Sequence, residues 1–313
     1  LKHTKKLVIG SISTMLLLGG CVSVENSKEN TNSNSTETTE KDNQDERYVS
    51  VQDYTGEGYM PRNGEETDKI AKDHKEEISE AVQKFFIDTY KTEVKVHNVV
   101  GSQDAATVFV ESVGVPHFYT YAVVPIDKKN NEVKLDRVFT QEGQVEDAIK
   151  GGLYYQIFKE EFAQLDNYIE ELVSKGEVIG RTTESLENVG GVGFMTPYYF
   201  ISTSIHDVAL EKLYKTYMEN PNIDINELKE VFESSNFEPK RLTISVQLYM
   251  SEKNEQPSEE IFNQLCKDIE VLQNIPKGSY SVTLNDNLID KLTAIGIKDN
   301  SLEIIDPNYI VRE

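Results

Sequence analysis

Positive charge is scarce in this chain: 32 lysines and arginines stand against 54 acidic residues in 313, for a formal net charge of −22. Without a basic face to displace counterions from phosphates, nucleic acid is excluded as a partner, and so is docking on anionic lipid headgroups. Such a surface favours solubility, cations and basic partners. Tryptophan is absent, so the tyrosine clusters "YTY", "LYY" and "PYYF" are better explained as core filling than as platforms for sugars. Cysteine occurs twice. Cys21 closes an N-terminal apolar run and Cys266 alone is left in the body, so the fold is expected to rest on packing without a disulfide. The sequence also lacks the G-x-S-x-G elbow, the S-x-x-K pair, H-E-x-x-H and C-x-x-C. The expected catalytic, cofactor and metal residues are therefore none.

Long apolar runs are missing as well. The run from Leu7 to Leu18 is twelve residues, short of the roughly 20 a helix needs to cross hydrocarbon. Lys2, Lys5 and Lys6 precede it and "LGGC" ends it. This resembles the lipobox of bacterial lipoproteins. The resemblance implies a signal peptide over residues 1–20, cleavage between Gly20 and Cys21, diacylglyceryl transfer to the Cys21 thiol and a further acyl chain on the freed amine. Several chains, at about 0.8 kcal/mol per buried CH₂, anchor far more firmly than one. The implied partner is the membrane, through the N-terminal acyl chains, and the implied place is the outer face of the cell membrane. Removal of the leader, with its three lysines, makes the mature chain more acidic still. Leu1 reads as an alternative start codon, Met in the cell.

Residues 22–47 are almost all Asn, Ser, Thr, Glu, Lys and Asp, with nothing to bury. With Cys21 they form segment 21–47, a disordered polar tether spanning roughly 28 Å when flexible. The body then divides into an α+β subdomain over 48–180 and a second over 181–313, packed separately or as one unit.

In the first subdomain "YVSVQDY" predicts a short strand. Asn63 with Glu66 predicts a capping box, and the apolar spacing from Ile70 to Phe86 predicts one long helix over 65–90. "TEVKVHNVV", "ATVFVESVG", "HFYTYAVVPI" and "EVKLDRVFT" predict four strands of an antiparallel meander packed on that helix. Val94, Val96 and Asn98 are expected on one face and Glu93, Lys95 and His97 on the other. The arrangement resembles the curled sheet around a helix seen in cystatins and nuclear-transport-factor folds. A second helical pattern fills 141–175, with a kink or break expected at Gly151 and Gly152.

In the second subdomain helices are expected at 207–219, at 225–235 behind an Asp224–Glu227 capping box, and from Pro257 to about 273. Strands are expected at "YYFISTSI", "RLTISVQLYM", "GSYSVTLND" and "SLEIIDP". The fold class is α+β: a helix-packed antiparallel meander followed by a second half of helices and short strands.

Candidate chemistry is thin. His74, His97, His117 and His206 are widely spaced in the body. A meander would bring His97 and His117 near each other, with solvent-facing or satisfied imidazoles as the plain reading. Cys266 shares an apolar helix face with Ile261, Phe262, Leu265 and Ile269, which makes it a buried structural thiol. Asn222, Asp224 and Asn226 alternate as in a calcium loop but lack its length and glycine turn, so they read as helix capping. "NVGGVGF" has no Lys-Ser/Thr after it and reads as a flexible loop rather than a phosphate cradle.

The lipobox, the tether, "YVSVQDYTGEGY", "EVKVHNVV", "GVPHFYTYAVV", "GLYYQIFKEEF", "ISVQLYM" and "IPKGSYSVTLNDN" together resemble a family of uncharacterised staphylococcal lipoproteins. The resemblance spans essentially the whole chain. It implies display on a Gram-positive membrane and no particular activity. A non-enzymatic binding or interaction module is the expected function. A cell-envelope hydrolase of unrecognised type and a solute-binding lipoprotein are the alternatives.

Overall fold

The computed structural model describes residues 46–203, 206–253 and 255–313. Gly20, Cys21 and the leader lie outside the described residues. Among the described residues no helix is long and apolar enough to cross a membrane.

The alternating first half forms the expected meander. β2 (Val94–Ser102), β3 (Ala105–Ser112), β4 (Tyr119–Asp127) and β5 (Glu132–Val133) pair antiparallel in that order. The last strand is shorter than "EVKLDRVFT" suggests. A 3₁₀ turn at Leu135–Arg137 lifts the chain away, and only Phe139 returns to pair with Val123. "YVSVQDY" likewise contributes only β1 (Tyr48–Ser50), which pairs with β11 (Leu288–Asp290).

The single helix expected over 65–90 is two, α1 (Glu65–Asp73) and α2 (Lys75–Tyr90), broken at His74. The cause lies at the other end of α1. A Cβ at Gly64 would stand 2.3 Å from the carbonyl oxygen of Gly101, and one at Gly101 would stand 2.3 Å from the Asp68 nitrogen. α1 therefore sits directly on the backbone of β2, fixed by Thr67 Oγ1 donating to Ser102 O at 2.7 Å and Gly101 N donating to Asp68 Oδ1 at 3.0 Å. α2 must take its own angle to lay Ile78, Val82, Phe86 and Tyr90 on the sheet. The expected Asn63 capping box is absent: Gly64 is the cap residue, and Asn63 turns the chain at positive φ.

α3 (Gln144–Ile157) and α4 (Lys159–Ser174) fill 141–175, and the break falls at Phe158, not at the glycines. α3 is buried nearly all round. A Cβ at Gly151 would meet Ile201 at ordinary contact distance, whereas one at Gly152 would meet the His117 carbonyl oxygen at 2.6 Å. Gly152 lets neighbouring backbone approach the helix instead of bending it.

The second half builds a seven-stranded mixed sheet. Its path is β12 (Leu302–Ile304), β10 (Gly278–Asn285), β9 (Leu242–Met250), β8 (Tyr199–Thr203) and β7 (Phe194–Met195). β13 (Ile310–Arg312) also pairs with β10, and β6 (Val178–Ile179) with β9. Among the described residues only β9 and β10 run parallel, and α8 (Glu259–Val271) makes the crossover that a parallel pair requires. β10 is buried along its whole length. α6 (Val208–Glu219) and α7 (Ile225–Glu233) are capped by the side chains of Asp207 and Asp224. Pro257 precedes the cap residue of α8, Ser258, instead of lying in its first turn.

One hydrophobic cluster runs from Phe86 and Val108 through Ile149, Leu153 and Phe162 to Ile244 and Val282, drawing on both sides of residue 180. Tyr154 and Tyr199 lie inside it, with their hydroxyls donating to Lys277 O at 2.7 Å and Asp166 Oδ1 at 2.8 Å. A smaller cluster of Tyr54, Val100, Phe109, Val189 and Ile289 covers the opposite face of the meander. That second face holds the site.

Candidate functional site

β2 and β3 lose register between Val96 and Asn98, so His97 is the extra residue of a β-bulge. The bulge resets the alternation. Val99, not Asn98, joins Val94 and Val96 in the main cluster, while Asn98 turns to the same side as His97 and donates to Asn188 O at 3.0 Å. The expectation that Asn98 shares a face with Val94 and Val96 is corrected by that one inserted residue. Bulges commonly re-aim a side chain beside a functional site.

Glu111 stands in β3 opposite Lys95 and Tyr119. Its Oε2 lies 2.7 Å from His97 Nε2 and its Oε1 lies 2.8 Å from His117 Nε2. A carboxylate only accepts, so both rings donate an N–H to it. Burial alone would raise the Glu111 carboxyl, but the hydrogen bonds and charge of His117 and His97 outweigh it and hold the group below its ordinary value.

His117 reaches this position through the link between β3 and β4. Ser112 Oγ donates to Pro116 O at 2.8 Å and accepts from Phe118 N at 2.9 Å, closing the turn. The imidazole then packs edge-on against Tyr119 and Phe194. Gly152 of α3 leaves room for its carbonyl.

The fourth member comes from far along the chain. α5 (Thr183–Val189), capped by Thr182 Oγ1 accepting from Ser185 N, lies across β2 and β3. It sets Glu187 Oε2 3.6 Å from His97 Nδ1. Ligand atoms of His97, Glu111 and Glu187 all come within 4.8 Å of one another. Side-chain exposure rises outward, from 5% for His97 through 22% for Glu111 and 30% for Glu187 to 35% for His117. The cluster is thus an acidic, solvent-reachable cup with an imidazole at its base. On its rim the Tyr119 hydroxyl is pushed well above its usual range by burial and by the charges of Glu111 and Glu187.

The glycines of "NVGGVGF", expected as a flexible loop, have a packing role. Gly193 exchanges both backbone hydrogen bonds with Tyr119 and passes so close to Ile201 O that a Cβ would stand 2.4 Å away. This joins the end of α5 to the meander beside His117.

The remaining candidates lie elsewhere. His74 pairs with Glu77 on the surface at 2.6 Å. His206 lies just ahead of α6. Cys266 is buried in α8, and its thiol is pushed up to about 11 by burial and by Glu270. Asp224 caps α7, and Asn220 Oδ1 accepts from Asn222 N. The sequence brought His97 and His117 into view but not Glu111 or Glu187. The signal for Glu111 is an acid inside the apolar run "TVFVES"; for Glu187 no local signal exists.

The chain belongs to a family described as a protein of unknown function, DUF1672, whose model matches residues 41–312. A crystal structure of a DUF1672 family protein from Staphylococcus aureus subsp. aureus Mu50 is similar over 85% of this chain and 98% of its own, with a TM-score of 0.69 and 20% identity. At that identity the likeness concerns the fold alone. No curated protein matches the chain.

Proposed function

We infer that the protein is a lipid-anchored module displayed on the outer face of the cell membrane. In this reading residues 1–20 are removed, Cys21 carries the acyl chains, and the folded body binds a ligand at the His97–Glu111–Glu187 cup without transforming it. The leader pattern supports the placement. The observation that carries the binding reading is that both imidazoles commit an N–H to the same carboxylate, Glu111. Among the described residues no serine, threonine or cysteine hydrogen-bonds to either ring, and Tyr119 is moved further from ionisation. A hydrolase needs an activated nucleophile or water beside its base. A two-lobed solute-binding fold would need repeated parallel units, and among the described residues there is one parallel strand pair.

Two experiments test it. Cys21→Ala should shift the protein from the detergent phase to the aqueous phase and from membranes to the medium; unchanged partitioning removes the anchor. Purified protein should leave chromogenic esters and muropeptides intact. Turnover that Glu111→Gln abolishes would replace the binding reading with the hydrolase one.

A further inference from the structure

We propose that His97, Glu111 and Glu187 bind one divalent first-row transition-metal ion, with Zn²⁺ as the representative, and that His117 is the positioning residue that holds Glu111 from behind. The proposal rests on the cup being the binding site, and it names the class of ligand.

Donor chemistry selects the class. One imidazole and two carboxylates suit zinc and its neighbours, whereas Mg²⁺ and Ca²⁺ take oxygen donors alone. The donors are also close to coordination distances. Metal–ligand bonds of about 2.1 Å put two tetrahedral donors about 3.4 Å apart. Glu111 Oε2 faces His97 Nε2 at 2.7 Å and Glu187 Oε2 faces Nδ1 of the same ring at 3.6 Å, and with one ligand atom taken from each residue the three lie within 4.8 Å of one another. Coordination uses one nitrogen of the ring, so side-chain rotations that bring both carboxylates to the same imidazole edge replace the His97–Glu111 hydrogen bond with two bonds to the ion. Two carboxylates supply its counter-charge, and a chain of net charge −22 raises the local cation concentration.

The supporting shell has the form metal sites need, because ligating carboxylates are themselves hydrogen-bonded. Glu111 turns Oε2 toward His97, while Oε1 accepts from His117. α5, which brings Glu187, is fastened on both sides of that residue's neighbour. Asn98 Nδ2 donates to Asn188 O at 3.0 Å, and Asn188 Nδ2 donates to Thr55 O at 2.9 Å. Three donors from a bulge, a strand and a helix leave a coordination position on the exposed side, which fits capture of an ion better than a closed structural centre.

The test is titration of the chelator-stripped full chain with ZnCl₂, read by calorimetry and by competition with a chromophoric chelator. One ion per chain is expected. Glu187→Gln and His97→Gln should weaken it more than tenfold, and His117→Gln by 10- to 100-fold, the usual range for an outer-shell partner. His74→Ala, which removes an imidazole paired with a carboxylate on the surface, should leave affinity unchanged. Zinc should also perturb the ring resonances of His97 in the unmutated protein, a readout independent of how the variants fold. Absence of a one-to-one site, equal affinity in Glu187→Gln, equal loss in His74→Ala, or unshifted His97 resonances would each overturn the proposal. Those failures would remove the ion alone; ester or muropeptide turnover dependent on Glu111 is what would remove the binding reading beneath it.

Discussion

Asn98 donates to the backbone carbonyl of Asn188 at 3.0 Å, one residue beyond His97 on β2 and one beyond Glu187 on α5. The two side chains of the cup are therefore set against each other by the hydrogen bond next door. A half-buried hydrogen bond of this kind contributes about 1 kcal/mol, and more is lost when an acceptor is left facing a like group.

Asn98→Ala should lower stability by about 1 kcal/mol in a denaturant titration. Asn98→Asp should cost more, because it brings an acceptor-only carboxylate to a carbonyl beside Glu111 and Glu187. Zinc affinity, measured as above, should fall in both variants. Equal stability of Asp and Ala at this position would show that the side chain does not face Asn188 O in solution.

The adjacent glycines of α3 should respond to alanine with opposite signs. At Gly151 the added methyl meets Ile201 at 3.4–3.7 Å, ordinary contact, and an interior helical glycine costs about 1 kcal/mol against alanine. Gly151→Ala is expected to be neutral or stabilising by up to about 1 kcal/mol. At Gly152 the methyl meets His117 O at 2.6 Å and Pro116 Cβ at 3.0 Å, so backbone must move. Gly152→Ala should destabilise by about 1–3 kcal/mol, the usual range for overpacking, and should displace His117 from Glu111. Thermal melts of the pair decide this, and a shared sign would contradict it.

The meander was legible because its strands alternate and its links are short, and α8 and the strands on either side of it because of their apolar faces; the parallel pairing of β9 with β10 was not expected. The break at His74 was not legible, since it follows from Gly64 meeting Gly101 across 37 positions. The site was legible by half. His97 on β2 and His117 at the entry to β4 lie on either side of β3, so the order of a meander predicts their approach. Glu187 joins them only because α5 folds across the back of the sheet, and the bulge that aims His97 is a matter of register, to which composition is blind.

Cys266 should be inert in the native protein. It lies on the inner face of α8, and its thiol, pushed up to about 11 by burial and by Glu270, carries little thiolate at neutral pH. Iodoacetamide at pH 8 is expected to label it only as fast as the chain opens, with full labelling in denaturant. Rapid stoichiometric alkylation of folded protein would place the thiol at the surface.

Arg47, the last residue that composition assigns to the tether, is fastened to the body by Asp290, with Nε donating to Oδ2 at 2.7 Å and Nη2 pairing with the same oxygen. Asp290 is only 7% exposed and Arg47 is 47% exposed. Burial alone would raise the Asp290 carboxyl. The Arg47 hydrogen bond, the Leu292 backbone N–H and the arginine charge outweigh it and hold the group below its ordinary value. The sign follows by linkage: a carboxyl with a depressed folded value contributes stability above its unfolded value, near pH 4, and loses it as pH falls through the folded one. Arg47 stays charged throughout, so the loss belongs to Asp290 alone. Unfolding free energy measured from pH 6 down to pH 2 should therefore fall less steeply below pH 4 in Asp290→Asn than in the unmutated protein. Arg47→Ala should flatten the same limb by returning the Asp290 value toward normal, because burial would then be opposed only by the Leu292 backbone N–H and the Thr293 hydroxyl. Parallel acid limbs in all three proteins would mean that Arg47 is not held to the body by this pair.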